Sequence, residues 1–162
     1  MTGVAQRRIR LAGVLLTGIA LAGCGPAAAP VRVMLPDPPP EAAEAAACER
    51  LVAALPAELD DREQRETEPR SPLVRAWGEE PVVLTCGVER PEGYRPPAVS
   101  PYGVNGVQWY HHIAGDTIEW YPVDRTVYLR LDVPRDVEAA SLLVALAEPI
   151  KRTLPARPDD LR

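Results

Sequence analysis

Apolar residues recur at helical spacing in two segments of the chain. The first covers residues 41–55 and ends at Pro56, because a proline cannot continue a helix. The second covers about residues 136–153, with Asp136 as the expected N-cap. The apolar stripe of the first helix consists of Ala47, Cys48, Leu51, Val52 and Leu55. That of the second consists of Ala139, Leu142, Leu143, Leu146 and Ile150. We therefore predict two amphipathic helices that enclose the rest of the domain.

Between these helices, four segments alternate apolar and polar residues, which is typical of strands with one buried face. The predicted strands are residues 82–88, 104–113, 117–123 and 126–133. Residues 60–72 are rich in charge and residues 91–101 are rich in proline, so both are expected to be loops. The order of elements predicts an α+β domain, a mostly antiparallel four-stranded sheet with both helices packed on one face.

The second and third strands are expected to form a hairpin, because Gly115-Asp116 suits a two-residue turn. In the favoured register His111 faces Trp120, whereas a slip of one residue would pair Trp120 with Tyr110. Exposed aromatic rings on a sheet can stack on sugars or on side chains of a partner, although burial beneath a loop is an equal alternative. The candidate partner-binding residues on the opposite face are Tyr110, His112, Glu119 and Tyr121. Of these, His112 and Glu119 form an expected cross-strand pair.

The amino terminus follows the pattern of a signal peptide. Three arginines precede an apolar run at residues 11–22, whose twelve residues are too few for a bilayer core that needs about 20. The run ends in Leu21-Ala22-Gly23-Cys24, which matches the bacterial lipobox, so Cys24 is the expected site of lipid attachment. An uncleaved anchor helix fits the short run poorly. Export by the general secretory route is the default, although Arg7-Arg8 also suits the twin-arginine route.

Lipidation of Cys24 would leave an even pair among the three cysteines, Cys48 and Cys86. Both lie on the core-facing side of their predicted elements, and disulfides persist outside the cytoplasm. We predict a Cys48–Cys86 disulfide between helix and sheet, with two separate buried thiols as the alternative. Two cysteines without nearby histidines are too few ligands for a metal, and no cofactor is expected.

Composition divides the chain into four parts. Residues 1–23 are the expected signal peptide, and residues 24–40 are a tether rich in proline and alanine. Its sixteen residues after Cys24, if extended, would span roughly 50 Å. Residues 41–155 are long enough for one globular domain, and residues 156–162 form a polar tail.

Charge excludes nucleic acid as a partner. Removal of residues 1–23 takes away three of 18 basic residues and none of the 23 acidic ones, so the mature chain carries 15 − 23 = −8. Such a surface has no footprint for nucleic acid and is repelled by anionic lipid. Attachment to the membrane must then come from the acyl chains at Cys24.

No catalytic motif is present in the sequence. A nucleophile elbow, a glycine-rich phosphate loop and a zinc-protease helix motif are all missing. The adjacent His111 and His112 point to opposite faces of a strand and so cannot readily share one metal.

Several blocks of sequence resemble an uncharacterised family of actinobacterial secreted or membrane-anchored proteins. The most specific block runs from Ala76-Trp77-Gly78 to Cys86-Gly87-Val88, preceded by Cys48-x-x-Leu51 and followed by Val107-Gln108-Trp109 and residues 127–134. The resemblance spans roughly residues 48–154 and implies an envelope location and a paired cysteine. It implies no activity.

The predicted function is that of a lipoprotein at the extracytoplasmic face of the plasma membrane. We expect a non-catalytic accessory or binding module whose partner is an envelope protein or a wall polymer. The alternative is a cell-wall-directed hydrolase or transferase without a recognisable motif. A flat or grooved aromatic patch would indicate the module, and a concave pocket with converging acids or histidines would indicate the enzyme.

Overall fold

A sheet of eight antiparallel strands organises residues 28–158, which are the residues that this computed structural model describes. The strands, in chain order, are β1 (Val31–Arg32), β2 (Glu58–Leu59), β3 (Arg62–Arg65), β4 (Thr67–Glu68), β5 (Val74–Trp77), β6 (Val82–Cys86), β7 (Tyr102–Val104), β8 (Val107–Ala114), β9 (Thr117–Pro122) and β10 (Leu129–Pro134). The helices are α1 (Ala42–Ala54) and α2 (Ala139–Thr153). The predicted signal peptide and Cys24 lie outside the described residues. Neither helix is long and apolar enough to cross a membrane.

The large sheet has the order β2-β3-β5-β6-β10-β9-β8-β7, and β1 and β4 form a separate parallel pair. The prediction of a four-stranded sheet is therefore wrong. The four predicted strands correspond to β6, β8, β9 and β10, which are neighbours in the middle of the eight. Four further strands extend this sheet, three at one edge and β7 at the other. The domain is mostly β.

The missed strands β2 to β4 lie within or beside the segment expected to be a charged loop. They are two to four residues long, and β3 is half-buried at its ends and exposed between them. Short strands at a sheet edge need no continuous apolar face, because solvent covers much of their surface. Because these strands consist largely of charged residues, they lack the alternation of apolar residues that predicts a strand.

The strand β5 was missed for a different reason, which is an arginine on its core-facing side. Nη2 of Arg75 donates a 2.6 Å hydrogen bond to the carbonyl oxygen of Val52 in the last turn of α1. The last carbonyls of a helix have no partner within the helix, so the guanidinium satisfies one of them. Next to it, Trp77 is fully buried and its Nε1 donates to the carbonyl oxygen of Pro56 at 3.0 Å.

Both helices pack on one face of the sheet and enclose the main core with it. Their first turns are stabilised by glutamates. Glu44 accepts a hydrogen bond from the backbone nitrogen of Glu41, and Glu138, not the predicted Asp136, is the N-cap of α2 and accepts from the backbone nitrogen of Ala140 at 3.2 Å. The largest fully buried side chains include Leu51, Trp77, Leu84, Trp109, Leu131 and Leu146.

The predicted disulfide is present between α1 and β6. Cys48 and Cys86 are both completely buried, and their Cα atoms lie 5.5 Å apart. The bond joins the first helix to a central strand, across the layer in which most of the apolar side chains lie.

Residues 29–33, which composition assigns to the tether, lie against the domain. The backbone nitrogens of Val31 and Val33 donate to the carbonyl oxygens of Glu66 and Glu68 at 2.8 and 3.0 Å. Nη2 of Arg65 also donates to the carbonyl oxygen of Ala29 at 2.7 Å. The chain is therefore held by the domain from residue 29 onward.

The start of the polar tail is held in the same way. The backbone nitrogen of Arg157 donates to the carbonyl oxygen of Asp124 at 2.7 Å. The guanidinium of Arg157 donates to the carbonyl oxygen of Arg125. The guanidinium carbon of Arg157 lies 4.5 Å from the centre of the Tyr128 ring.

Candidate binding groove

The face of the sheet opposite the helices carries a row of polar and aromatic side chains. Because neighbouring residues of a strand point to opposite faces, the residues between the core positions of β6, β8, β9 and β10 all emerge here. The strand registers place Tyr110 beside Tyr121, and Arg130 beside both Tyr121 and Thr85. These four side chains cross the sheet as one row.

Two further segments line this row and make it the floor of a groove. Residues 34–37, which follow the docked N-terminal strand, form one wall, and residues 88–93 form the other. The groove has a volume of about 620 Å³. This volume lies within the roughly 300–1,000 Å³ that is usual for sites of small ligands.

Aromatic rings stand side by side on the β8–β9 part of the floor. The ring centroids of Tyr110 and Tyr121 are 6.3 Å apart, and that of His112 lies 6.4 and 6.2 Å from them. The rings of His112 and Tyr121 are nearly parallel, with an angle of 12° between their planes. Tyr121 is buried and Tyr110 is half-buried, whereas the His112 side chain is 45% exposed. The two tyrosine rings of the floor are thus largely covered, and the His112 ring is accessible to a ligand.

The loop that forms the second wall is fixed against the same rings. Tyr94 is buried, and its ring centroid lies 5.5 Å from that of Tyr110. Tyr94, Tyr121 and Val123 form a small apolar cluster of their own. A β-carbon added at Gly93 would collide with the hydroxyl oxygen of Tyr110, so a larger residue there would require the Tyr110 side chain to move.

A network of polar groups holds the floor together around Glu119. Its Oε2 accepts a 2.6 Å hydrogen bond from the hydroxyl of Tyr121 and lies 3.3 Å from Nε2 of His112. Nε of Arg130 lies 2.8 Å from Oδ1 of Asp132 and 3.9 Å from Oε1 of Glu119. Both carboxylates are therefore engaged by polar groups of the floor itself.

Burial and these contacts change the pKa values of the network. Burial, together with the hydrogen bond to Glu119, raises the pKa of the Tyr121 phenol, so this group stays protonated and donates. Burial also raises the pKa of Asp132, against the opposing effect of Arg130. Burial alone would lower the pKa of Arg130, but the carboxylates of Asp132 and Glu119 outweigh it and raise that pKa. Arg130 is therefore a permanent cation at the centre of the floor.

Some hydrogen-bond donors of Arg130 are not used within the floor. Its side chain is 23% exposed and lines the groove. Within residues 28–158, its Nε lies at ion-pair distance from Asp132 and Glu119, and its Nη1 and Nη2 make no hydrogen bond. A guanidinium presents five donors in a planar fork, so these two nitrogens are available to acceptor oxygens of a ligand.

The structure brings all four predicted site residues, Tyr110, His112, Glu119 and Tyr121, to this face. His111 points to the other face, where its ring lies 4.5 Å from that of Trp120. The two histidines therefore diverge. Over the described part of the chain, no group of three or more His, Cys, Asp or Glu residues could hold a metal ion.

Sequence reasoning missed three parts of the groove. Arg130 and Asp132 alternate with the core residues of β10, but only the strand order places them next to Glu119 and Tyr121. Tyr94 lies in a proline-rich loop without periodicity, and residues 34–37 read as tether. No local signal in the sequence could have joined either segment to the site.

Comparison with protein-family models gives a match over residues 9–159 to a family described as "Protein of unknown function (DUF3515)". The chain belongs to this family. The family is uncharacterised, as the resemblance indicated, and its description names no organism, location or activity. No curated protein and no solved structure matches the chain. The groove is therefore the feature of the protein that bears on its function.

Proposed function

We propose that the protein is a non-catalytic, lipid-anchored binding module at the extracytoplasmic face of the plasma membrane. Its ligand is a wall polymer, of which the groove holds a saccharide segment. The observation that supports this most is the combination on one floor of the open His112 ring with the guanidinium of Arg130. An aromatic face packs on the C–H face of a sugar ring, and a fork of donors suits its hydroxyl oxygens.

The pairing of Glu119 and Asp132 favours binding over hydrolysis, although the groove is concave and the carboxylates of Asp37, Glu89 and Glu92 line its walls. A catalytic acid needs a carboxyl group whose proton is free to transfer to the substrate. Here Oε2 of Glu119 already accepts from Tyr121, and Asp132 is paired with Arg130 at 2.8 Å. The acids of the floor thus serve to position its other side chains.

The lipid anchor is supported by the Leu21-Ala22-Gly23-Cys24 sequence and by the apolar run before it. The match to the family begins at residue 9, so this run falls within the matched region. A buried disulfide is also typical of proteins outside the cytoplasm.

Replacement of the anchoring thiol is expected to release the protein. The wild-type protein should enter the detergent phase of a phase-partitioning experiment, and Cys24→Ala should move it to the aqueous phase, because no thioether can form without the thiol. Gly25→Ala, which keeps the cysteine, is the matched control and should behave as wild type. A mature wild-type chain that starts elsewhere, or that has a free α-amino group and no added lipid mass at Cys24, would contradict the anchor.

Loss of the open ring is expected to weaken ligand binding without loss of stability. We expect His112→Ala to raise the Kd for soluble cell-wall glycan fragments by about 2- to 10-fold, which corresponds to one aromatic contact. The melting temperature should change little, because the His112 side chain is 45% exposed. Isothermal titration calorimetry with the Cys24→Ala protein measures the binding.

Tyr102→Ala is the matched control for this experiment. Tyr102 is an aromatic residue that is 58% exposed, and it lies on the other face of the sheet, beside His111. Its removal should leave the Kd unchanged. An equal loss of binding in both variants, or no binding of any glycan fragment by the wild-type groove, would contradict the proposal.

A further inference from the structure

The contacts of the N-terminal segment limit how far the domain can stand from a lipid at Cys24. Among residues 28–158, the first held by the domain is Ala29, through its hydrogen bond from Arg65. Five residue steps separate it from Cys24. A fully extended chain spans at most about 3.6 Å per residue, so Ala29 lies within about 18 Å of Cys24. This is far less than the roughly 50 Å that a free tether through residue 40 would allow.

The chain next to this attachment point presents two consecutive apolar side chains to solvent. Met34 is 76% exposed and Leu35 is 44% exposed. They follow β1 after Val33 and belong to one groove wall. The exposed Tyr102 and Ile113 belong to β7 and β8, at the opposite edge of the large sheet from β3, whose Arg65 holds the segment.

The two segments next to the attachment point carry balanced charge. Residues 28–37 and 65–70 carry three basic and three acidic side chains: Arg32, Arg65, Arg70, Asp37, Glu66 and Glu68. The net charge of these two segments is therefore zero, but residues 58–63 at the same edge of the sheet add four acidic side chains and one basic one.

We propose that Met34 and Leu35 insert into the boundary between headgroups and acyl chains and hold this edge of the domain on the bilayer. The short free chain presents the edge to the membrane, and burial of the two apolar side chains stabilises that orientation. Residues 34–37 are also a wall of the groove, so the groove opens beside the lipid headgroups. This inference rests on the proposed lipid attachment at Cys24.

The test uses Met34 itself as the probe. Of the two methionines, Met1 lies in the predicted signal peptide, so Met34 is the single methionine of the mature chain. The full-length lipidated protein is reconstituted in vesicles of phosphatidylcholine with about one quarter phosphatidylglycerol. Oxidation of Met34 under hydroxyl-radical exposure is followed by mass spectrometry and compared with that of Cys24→Ala protein mixed with the same vesicles. We expect oxidation to be at least about fivefold slower in the anchored protein, because insertion removes the thioether from water. Labelling of Tyr102, at the far edge, should be equal in both samples.

A variant with a longer tether separates membrane contact from other causes of protection. Insertion of roughly sixteen Gly/Ser residues after Gly25 removes the limit on length and should raise the oxidation rate at least about twofold. Unchanged protection in this variant would mean that something other than the bilayer covers Met34, which overturns the inference. Equal rates with and without the anchor would overturn it too, while the anchor itself would stand. A wild-type protein that does not float with the vesicles would instead refute the lipid attachment and, with it, this inference.

Discussion

Removal of the disulfide by Cys86→Ser is expected to lower the free energy of unfolding by about 2–5 kcal/mol. The bond links Cys48 and Cys86 across a separation of 38 residues, and it restricts the unfolded chain over that length. It also ties α1 to a central strand at a point where both residues have no exposure to solvent. The serine adds a buried hydroxyl to an apolar surrounding, which is a further cost.

Urea denaturation of the Cys24→Ala protein, which lacks the anchor, measures this effect. The Cys48→Ala/Cys86→Ala double variant is the control that removes the bond without introducing a polar group, so it should lose less stability than Cys86→Ser. Reduction of the parent protein should lower its midpoint in the same direction. Equal midpoints for the parent and both variants would refute a stabilising role. Two free thiols in the exported protein would refute the bond itself.

The sequence predicted the elements whose apolar pattern is long and regular. The helix α2 buries Leu142, Leu143 and Leu146 at helical spacing, and β10 buries alternate residues along its whole length. The elements that were missed lack this signal for reasons that depend on tertiary structure. Arg75 in β5 faces the helices because it caps α1, and β3 is exposed between its half-buried ends. A residue that is polar because of a partner 23 positions away cannot be interpreted locally.

Parts of the candidate site were likewise predictable from local sequence patterns, and other parts were not. A period of two residues places Tyr110 and His112 on one face, and a correct hairpin register adds Glu119 and Tyr121. These assignments need only neighbouring strands. The walls of the groove come from segments that are distant in sequence and have no periodic pattern, so the sequence predicted an aromatic patch but not a groove. The lipid anchor stays a prediction, because Cys24 lies outside the described residues.

The docked N-terminal segment shows why composition alone is a weak guide to a linker. Residues 24–40 are rich in proline and alanine, which favours an extended chain. An extended chain is also the conformation that pairs with an exposed strand, and here residues 31–33 pair with β4. The unpaired edge of a strand supplies donors and acceptors that such a segment can satisfy. The same composition is thus compatible with a free spacer and with an added strand.

Truncation of a fully buried indole, Trp77→Ala, is expected to cost about 3–5 kcal/mol of unfolding free energy. Trp77 has no exposure to solvent and packs in the main core. It also lies where β5 meets the end of α1, because its Nε1 donates to the carbonyl oxygen of Pro56 at 3.0 Å. The alanine variant loses both the packing of the ring and this hydrogen bond.

A second substitution separates these two contributions. Trp77→Phe keeps an aromatic ring in the core but leaves the half-buried carbonyl oxygen of Pro56 without its donor, so a smaller loss of about 1–3 kcal/mol is expected. Trp120→Ala is the control for loss of an indole, because Trp120 is only partly buried and packs at the margin of the core. The measurement is again urea denaturation in the Cys24→Ala background. An alanine variant at position 77 that loses no more stability than Trp120→Ala would show that Trp77 is not the anchor between β5 and α1, since the fully buried ring would then contribute no more than the marginal one.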